Sequence, residues 1–284
     1  MRVLFAADEH PYSADALSQV ARLGENTWPD ITFLGISTPP KGAPPPSGAS
    51  GIKDSTTAPI YSVLETYQKQ FLGYFDPATS PYSQSQPENG VNTGIHKQII
   101  TKVREGNPAK KILEEAQMDG SDLIVIGCSA QKNCSWEDAG NVPLKVARDA
   151  VSSVWVIKED KKFNKVLCCL DHDNISQESL EMVSQMVTLF RADLDIVVLT
   201  EGENIQEKIE KKLSWLINYY SARDIFPYIE LVKLASLETF ISQQARWGLM
   251  AMWMGKKSIL ERVFPSNKVS RLLKANESSL LLLR

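Results

Sequence analysis

The sequence contains little cysteine and histidine, with four and three of these residues in a chain of 284. A structural zinc site needs about four such ligands at close spacing, and His10, His96 and His172 are far apart. No metal site built by the protein is therefore expected. The four cysteines show no spacing typical of a disulfide framework, which predicts reduced thiols and a cytoplasmic protein.

Long apolar runs and an excess of positive charge are also missing. No run approaches the roughly 18 to 20 apolar residues that a transmembrane helix needs, and the opening MRVLFAADEH turns acidic too soon for a signal peptide. The net charge is −3 and the pI about 5.8, whereas nucleic-acid-binding proteins usually carry a clear basic excess. Neither a membrane span nor a nucleic-acid partner is expected.

Common catalytic signatures are missing as well. The chain has no Walker sequence, no G-x-S-x-G nucleophile turn and no H-E-x-x-H zinc motif. No pattern places a nucleophile beside a base. We therefore predict no catalytic residue, and enzyme activity is not expected beyond weak turnover of a bound ligand.

The sequence does contain a strand, loop, helix and strand between Asp122 and Lys158. Four apolar residues, Leu123 to Ile126, end at a glycine and predict a strand buried on both faces. Asn141 as N-cap and Pro143 in the first turn predict a helix start, and a second strand follows at Val154–Ile157. The loop therefore lies where open α/β sheets bind ligands, beside a helix N-terminus that favours anions.

Alternating strands and helices fill the first half of the chain and then start again. Aligning NKVLCCLDHD with MRVLFAADEH, and LMAMWMGKKS with LIVIGCSAQK, indicates an internal repeat. The pattern predicts an α/β fold of two tandem, doubly wound parallel-sheet domains, residues 1–160 and 161–284. A stretch rich in proline, glycine and serine, Thr38–Pro59, and a second polar stretch, Asp76–Thr93, predict a flexible insertion over about residues 38–93, with a helix at Ile60–Tyr74 between them.

The spacing of the loop resembles that of the universal stress protein (UspA-like) family, whose ATP-binding members carry G-x2-G-x9-G-(S/T) after the fourth strand. Gly127 and Gly140 match the first and third glycines, whereas Ala130 and Asn141 replace the second glycine and the serine or threonine. The helix start G-N-P-A at residues 106–109 also resembles the family's pattern. The chain is identified as a tandem two-domain member, with the Rossmann-like, adenine nucleotide alpha hydrolase-like fold.

The resemblance implies that ATP or another adenine nucleotide binds the first half, with magnesium at most as a companion of the phosphates. In ATP-binding members an aspartate after strand one and a hydrophobic residue at the end of strand two contact the adenosine. Asp8 and Ile36 stand at those positions. The implied phosphate loop comprises Gly127, Ala130, Gly140 and Asn141. The methyl group of Ala130 would hinder close approach of a phosphate, whereas Asn141 can donate an amide hydrogen bond.

Taken alone, these residues leave other interpretations open. The glycines could form a tight turn that holds no ligand, and Asp8 could be a capping residue of the first helix. Cys128 and Cys134 share the loop, and a thiol near a helix N-terminus can be reactive, although redox sensing is the less favoured interpretation. The second half keeps Gly255, has Ser258 for the second glycine and lacks the third, so no second nucleotide site is predicted.

Two functional hypotheses follow from these observations. The first is a cytosolic stress-response or signalling module with one degenerate ATP-type site; the second is a protein-interaction module that binds no nucleotide. ATP hydrolysis would need a catalytic group that the sequence does not show. Family members pair domains through their fifth strands, so Val154–Ile157 and Leu280–Leu283 are expected to pair in an intramolecular pseudo-dimer, with a homodimer as a further assembly.

Overall fold

The computed structural model describes residues 1–38, 58–82, 97–130, 134–136, 139–159, 163–170, 176–200, 207–244, 248–253 and 278–284. The strands of the first half are β1 (Arg2–Ala6), β2 (Asp30–Ser37), β3 (Ile99–Glu105), β4 (Leu123–Cys128) and β5 (Ser153–Lys158). Its helices are α1 (Pro11–Thr27), α2 (Ala58–Leu72), α3 (Pro108–Asp119) and α4 (Val142–Asp149).

The second half repeats this alternation over its described residues. Its strands are β6 (Lys165–Leu170), β7 (Asp193–Thr200), β8 (Tyr228–Lys233), β9 (Leu249–Trp253) and β10 (Leu280–Leu283). Its helices are α5 (Gln177–Phe190), α6 (Glu207–Ser221) and α7 (Leu237–Gln244), the last preceded by a 3-10 turn at Leu234–Ser236. The helix expected at Asn267–Ala275 lies outside the described residues.

All ten strands form one sheet, in the order β3-β2-β1-β4-β5-β10-β9-β6-β7-β8. Neighbouring strands within each half are parallel. β5 and β10 are antiparallel, with Leu280 opposite Val156 and Leu282 opposite Val154. The order 3-2-1-4-5 of the first half is repeated in reverse across the second half. The predicted α/β class with doubly wound parallel topology is confirmed.

Helices cover both faces of the sheet because alternate strand residues point in opposite directions. In β1, Val3 and Phe5 belong to the core layer built with α1, α2, α5 and α6. Leu4 and Ala6 belong to the layer built with α3, α4 and α7. Strand β4 is buried along its whole length, as the apolar run predicted. Each layer continues across both halves.

An asparagine occupies the N-cap position of both α3 and α4, but its side chain caps only α3. At α3, Asn107 is the N-cap and its side chain accepts a hydrogen bond from the Lys110 N–H, with Pro108 in the first turn. At α4, Asn141 holds the N-cap position, but its side chain makes no capping bond. Its ψ of 33° lies outside the extended region from which capping side chains normally reach the helix. The expected capping by Asn141 is therefore wrong.

Other expectations fall partly outside the described residues. The residues IHKQIITKV predict the third strand over Ile95–Val103, whereas β3 begins at Ile99, four residues later. Most of the predicted flexible insertion, residues 39–57 and 83–96, is not described, whereas the helix expected within it is present as α2. No helix in the described ranges is both long and apolar enough to cross a membrane.

Candidate functional site

A cleft of about 190 Å³ opens beside the carboxyl ends of β1 and β2. Its walls include Asp8 and Ile36, the two residues predicted to contact adenosine, together with Glu9, Ile60 and Trp136. The fold brings these residues together because parallel strands end at the same edge of the sheet. The cleft is smaller than ligand pockets of ordinary size, which are roughly 300–1,000 Å³.

The Asp8 carboxylate connects the end of β1 to the start of α1 through hydrogen bonds. Its carboxylate accepts hydrogen bonds from the His10 backbone N–H at 3.2 Å, the Ser13 hydroxyl at 2.7 Å and the Tyr12 hydroxyl. Burial raises the pKa of Asp8, while the bonds from Tyr12 and Ser13 lower it in part. The Nδ1 atom of the His10 ring also lies 3.4 Å from the carboxylate, so a ligand hydroxyl would share Asp8 with these groups or replace one of them. The capping interpretation and the ligand interpretation are therefore compatible.

Helix α2 closes one side of this cleft. Its Tyr67 hydroxyl donates to the backbone carbonyl of Asp8 at 2.9 Å. Burial, with the nearby charges of Asp8 and Glu9, raises the pKa of Tyr67 to about 12. Ile60 packs against the backbone at Gly35, where there is no room for an added side chain. The helix within the predicted insertion is thus part of the site.

Gly127 has a structural reason to be glycine that requires no ligand. A side chain there would clash with the backbone of α1, at the Tyr12 carbonyl and the Ser13 nitrogen. The first turn of α1 therefore lies directly against the end of β4. Gly140 is different, because nothing stands within 4 Å of an added side chain but its φ is +65°, a region that favours glycine.

Trp136 occupies the middle of the predicted phosphate loop. It is buried, and its indole N–H donates to the Gly127 carbonyl at 2.9 Å. Its backbone pairs with Gly140 in both directions, each bond 2.9 Å long. The Gly140 N–H, which was expected to bind phosphate, therefore donates to Trp136. The Val142 N–H donates to the Gly140 carbonyl at 2.8 Å, and Pro143 has no N–H.

The remaining predicted loop residues do not line the cleft. Ala130 and Asn141 are exposed on the loop and at the start of α4. Cys128 and Cys134, which flank this part of the loop, form a disulfide across a Cα–Cα distance of 4.8 Å. The expectation of four reduced thiols is therefore wrong for this pair. The loop folds back and brings the two cysteines within bonding range, which their spacing in the sequence does not reveal.

The described residues fit one part of an adenine nucleotide better than the other. Asp8 and Ile36 offer an acceptor and an apolar wall, whereas the donors at Gly140 and Val142 are already used. The described residues contain no group of three His, Cys, Asp or Glu side chains placed to hold a metal ion. As arranged here, the site suits the adenosine part and not the phosphates.

Three aromatic residues of the site were not predicted as such from the sequence. From the sequence, the six tryptophans are expected to be core or interface residues, whereas Trp136 connects the two ends of the loop. Tyr12 and Tyr67 bond to Asp8 from different helices. A large aromatic residue inside an otherwise polar glycine loop is the sequence signal that could have indicated Trp136.

Comparisons with known proteins agree with this architecture. A structure of a universal stress protein from Archaeoglobus fulgidus DSM 4304 is 14% identical with a TM-score of 0.63, and the match covers 100% of this chain and 98% of that one. A functionally unknown protein from Pseudomonas aeruginosa PAO1 matches at 15% identity and a TM-score of 0.59, over 99% and 92%. At these identities the likeness concerns the fold alone.

A third structure shows that this fold also occurs in another setting. The cytoplasmic domain of a prokaryotic cation chloride cotransporter matches at 9% identity and a TM-score of 0.52, over 99% of this chain and 94% of that one. No curated protein matches the sequence. The family model described as "Universal stress protein family" matches residues 1–158, more than half of the chain. The chain belongs to the universal stress protein family.

Proposed function

We propose that the chain is a tandem universal stress protein that acts as a cytoplasmic stress-response or signalling module with one degenerate adenine-nucleotide site. The site lies in the first domain, residues 1–160, and residues 161–284 form the second domain. The observation that carries the proposal is that Asp8 and Ile36 line one cleft at the carboxyl edge of the sheet. This is the edge at which open α/β sheets bind ligands.

The site is degenerate because its phosphate loop differs from the family pattern in sequence and because an N–H group of the loop is already hydrogen-bonded. Ala130 and Asn141 replace the second glycine and the serine or threonine. Trp136 accepts the bond from the Gly140 N–H, which would otherwise be available to a phosphate. We therefore expect ATP to bind weakly.

The two domains form an intramolecular pseudo-dimer in this proposal. Support comes from the antiparallel pairing of β5 with β10 and from contacts on both sides of it. Arg22 of α1 donates to the Leu189 carbonyl at 3.1 Å and stacks over Phe190 of α5. The Lys158 N–H donates to the Ser279 hydroxyl at 3.1 Å. Each contact joins a residue before position 160 to one after it.

Cytoplasmic location is also part of the proposal and is supported by membership of the family. The Cys128–Cys134 disulfide is unusual for that compartment, where thiols are kept reduced. In a cytoplasmic protein the two thiols are therefore expected to be reduced, with the bond forming under oxidising conditions.

A second candidate is a protein-interaction module that binds no nucleotide. The small volume of the cleft and the position of Trp136 favour it, because a loop bonded to itself needs no ligand for stability. In this case the shared sheet would hold the two domains together, and their surfaces would bind a partner protein.

Equilibrium titration with adenine nucleotides separates the two candidates. The nucleotide-site proposal predicts weak saturable binding that Ile36→Glu abolishes, because a charge would replace the apolar wall beside the base. Ile217→Glu is the matched control, since Ile217 is a partly exposed isoleucine on α6. Melting temperatures should show that both variants are folded. No binding of any adenine compound by the wild type would instead support the interaction module.

A further inference from the structure

We propose that this cleft selects adenosine over ATP, so that the ligand of the domain is an adenine nucleoside and not a nucleoside triphosphate. The inference rests on the proposed function and names the ligand class of the same site. It follows from the charge, the donors and the size of the cleft, each of which disfavours phosphates independently.

The charge of the cleft is the first argument. Asp8 and Glu9 both line it, and its described lining contains neither lysine nor arginine. A triphosphate carries several negative charges and would meet these carboxylates, and the imidazole in the described lining, His10, already lies 3.4 Å from Asp8. Like charges a few ångströms apart repel each other in water and more strongly where water is partly excluded, as at half-buried Asp8; Glu9 is exposed and repels more weakly. A neutral nucleoside avoids this repulsion.

The hydrogen-bond donors at the start of α4 are the second argument. A helix N-terminus binds anions through N–H groups that have no partner within the helix. Here the Gly140 N–H donates to the Trp136 carbonyl and the Val142 N–H to the Gly140 carbonyl. Pro143 has no N–H to offer. Of the four residues 140–143, three therefore offer no free backbone N–H to a phosphate.

Size and surface chemistry are the third argument. The cleft measures about 190 Å³, below the roughly 300–1,000 Å³ of pockets that enclose drug-sized ligands, so it can hold a nucleoside only in part and a triphosphate, being larger, still less. Ile36, Ile60, Pro59 and Trp136 give it apolar and aromatic walls, which suit a flat heterocycle. Asp8 suits a ribose hydroxyl as an acceptor, in exchange for one of its present contacts such as the His10 ring at 3.4 Å.

The test is calorimetric titration of the full chain with adenosine, AMP and ATP at one ionic strength. We expect the affinity to fall with each added phosphate, with adenosine bound at least about tenfold more tightly than ATP, given the repulsion described above. Tighter binding of ATP than of adenosine would overturn this inference and leave the proposed function intact. Failure of all three compounds to bind would overturn both.

A charge variant identifies the cause of the selectivity. Glu9→Gln should raise the affinity for ATP by roughly threefold to tenfold and leave that for adenosine unchanged, because only ATP is repelled. Glu25→Gln is the matched control, since Glu25 is an exposed glutamate nearer the other end of α1. Added salt should bring the affinities for adenosine and ATP closer together, because it screens the repulsion between ATP and the carboxylates. Equal effects of Glu9→Gln on both ligands, or none on either, would contradict the proposal.

Discussion

Gly127 and Gly140 are both glycines of one loop, but they meet different physical requirements. At Gly127 the backbone of α1 leaves no room for a side chain, whereas at Gly140 there is space and the constraint is a φ of +65°. The same residue type therefore reflects packing at one end of the loop and backbone conformation at the other. Neither requirement depends on a bound ligand.

This difference predicts unequal costs for two alanine substitutions. Gly127→Ala should lower the free energy of unfolding by about 3 kcal/mol, because rigid backbone must move to make room. Gly140→Ala should cost about 1 kcal/mol, the strain of a left-handed alanine. Urea unfolding of both variants measures the difference. Equal costs would show that the close approach of α1 to Gly127 is described wrongly.

Asp8 predicts a particular dependence of stability on pH. Because burial raises its pKa in the folded state above the ordinary value of 3.8, the folded protein holds this proton more tightly than the unfolded chain. The stabilisation is fully present below pH 3.8 and is lost as the pH rises through the higher folded pKa. Unfolding free energies of wild type and Asp8→Asn, compared from acid to neutral pH, should show this loss in the wild type alone. If the wild type instead gained stability relative to Asp8→Asn as the pH rises, the raised pKa of Asp8 would be wrong.

At the scale of elements, the loop between β4 and α4 is closed on itself by covalent and hydrogen bonds. The disulfide joins Cys128 to Cys134, and Trp136 links Gly127 to Gly140. These links connect the described residues of the loop to one another, and the N–H groups of Gly140 and Val142 are bonded within it. The loop, more than the strands around it, therefore determines what the site can bind.

The disulfide should contribute measurably to stability. It closes a short loop with a sequence separation of 6 residues, which corresponds to about 2 kcal/mol from the restricted unfolded chain. Cys134→Ser should lose that amount, and a reductant should destabilise the wild type equally. The variant serves as its own control, because the same reductant should then have no further effect. An unchanged unfolding midpoint of the reduced wild type would show that the bond does not form in solution.

Elements governed by local sequence could be predicted, and contacts between distant residues could not. The apolar run of β4 and the Asn-Pro start of α3 each contain their own signal, and both are present. The edge strand β3 is only half buried, so its weak alternation placed its start four residues too early. The pairing of Cys128 with Cys134 and the bonds of Trp136 depend on how the loop folds back, which neither glycine spacing nor composition encodes.

On the scale of the whole molecule, the two halves share one sheet and two core layers. β5 and β10 would each be an edge strand if the halves were separate, and unpaired apolar edges favour aggregation. In the sheet they pair with each other, while Arg22 reaches from α1 to α5. The two halves are therefore expected to behave as one particle.

A proline at the centre of this junction tests that expectation. Val156 lies opposite Leu280, so Val156→Pro should disturb the strand and its ladder and loosen the halves. Val156→Ala is the control, because it trims the side chain but keeps the N–H. Small-angle scattering should show a compact particle for wild type and control and a larger radius of gyration for the proline variant. A wild type that scatters as two tethered domains would contradict the pseudo-dimer.

In the proposed function, the first domain keeps the adenosine end of a nucleotide site and lacks the phosphate end. A crystal structure of the full chain grown with saturating ATP tests it most directly. We expect ordered density for the adenosine part beside Asp8 and Ile36. Trp136 should still be bonded to Gly140, and the phosphates should not contact the start of α4. Phosphates ordered on the N–H groups of Gly140 and Asn141, with Trp136 displaced, would contradict it.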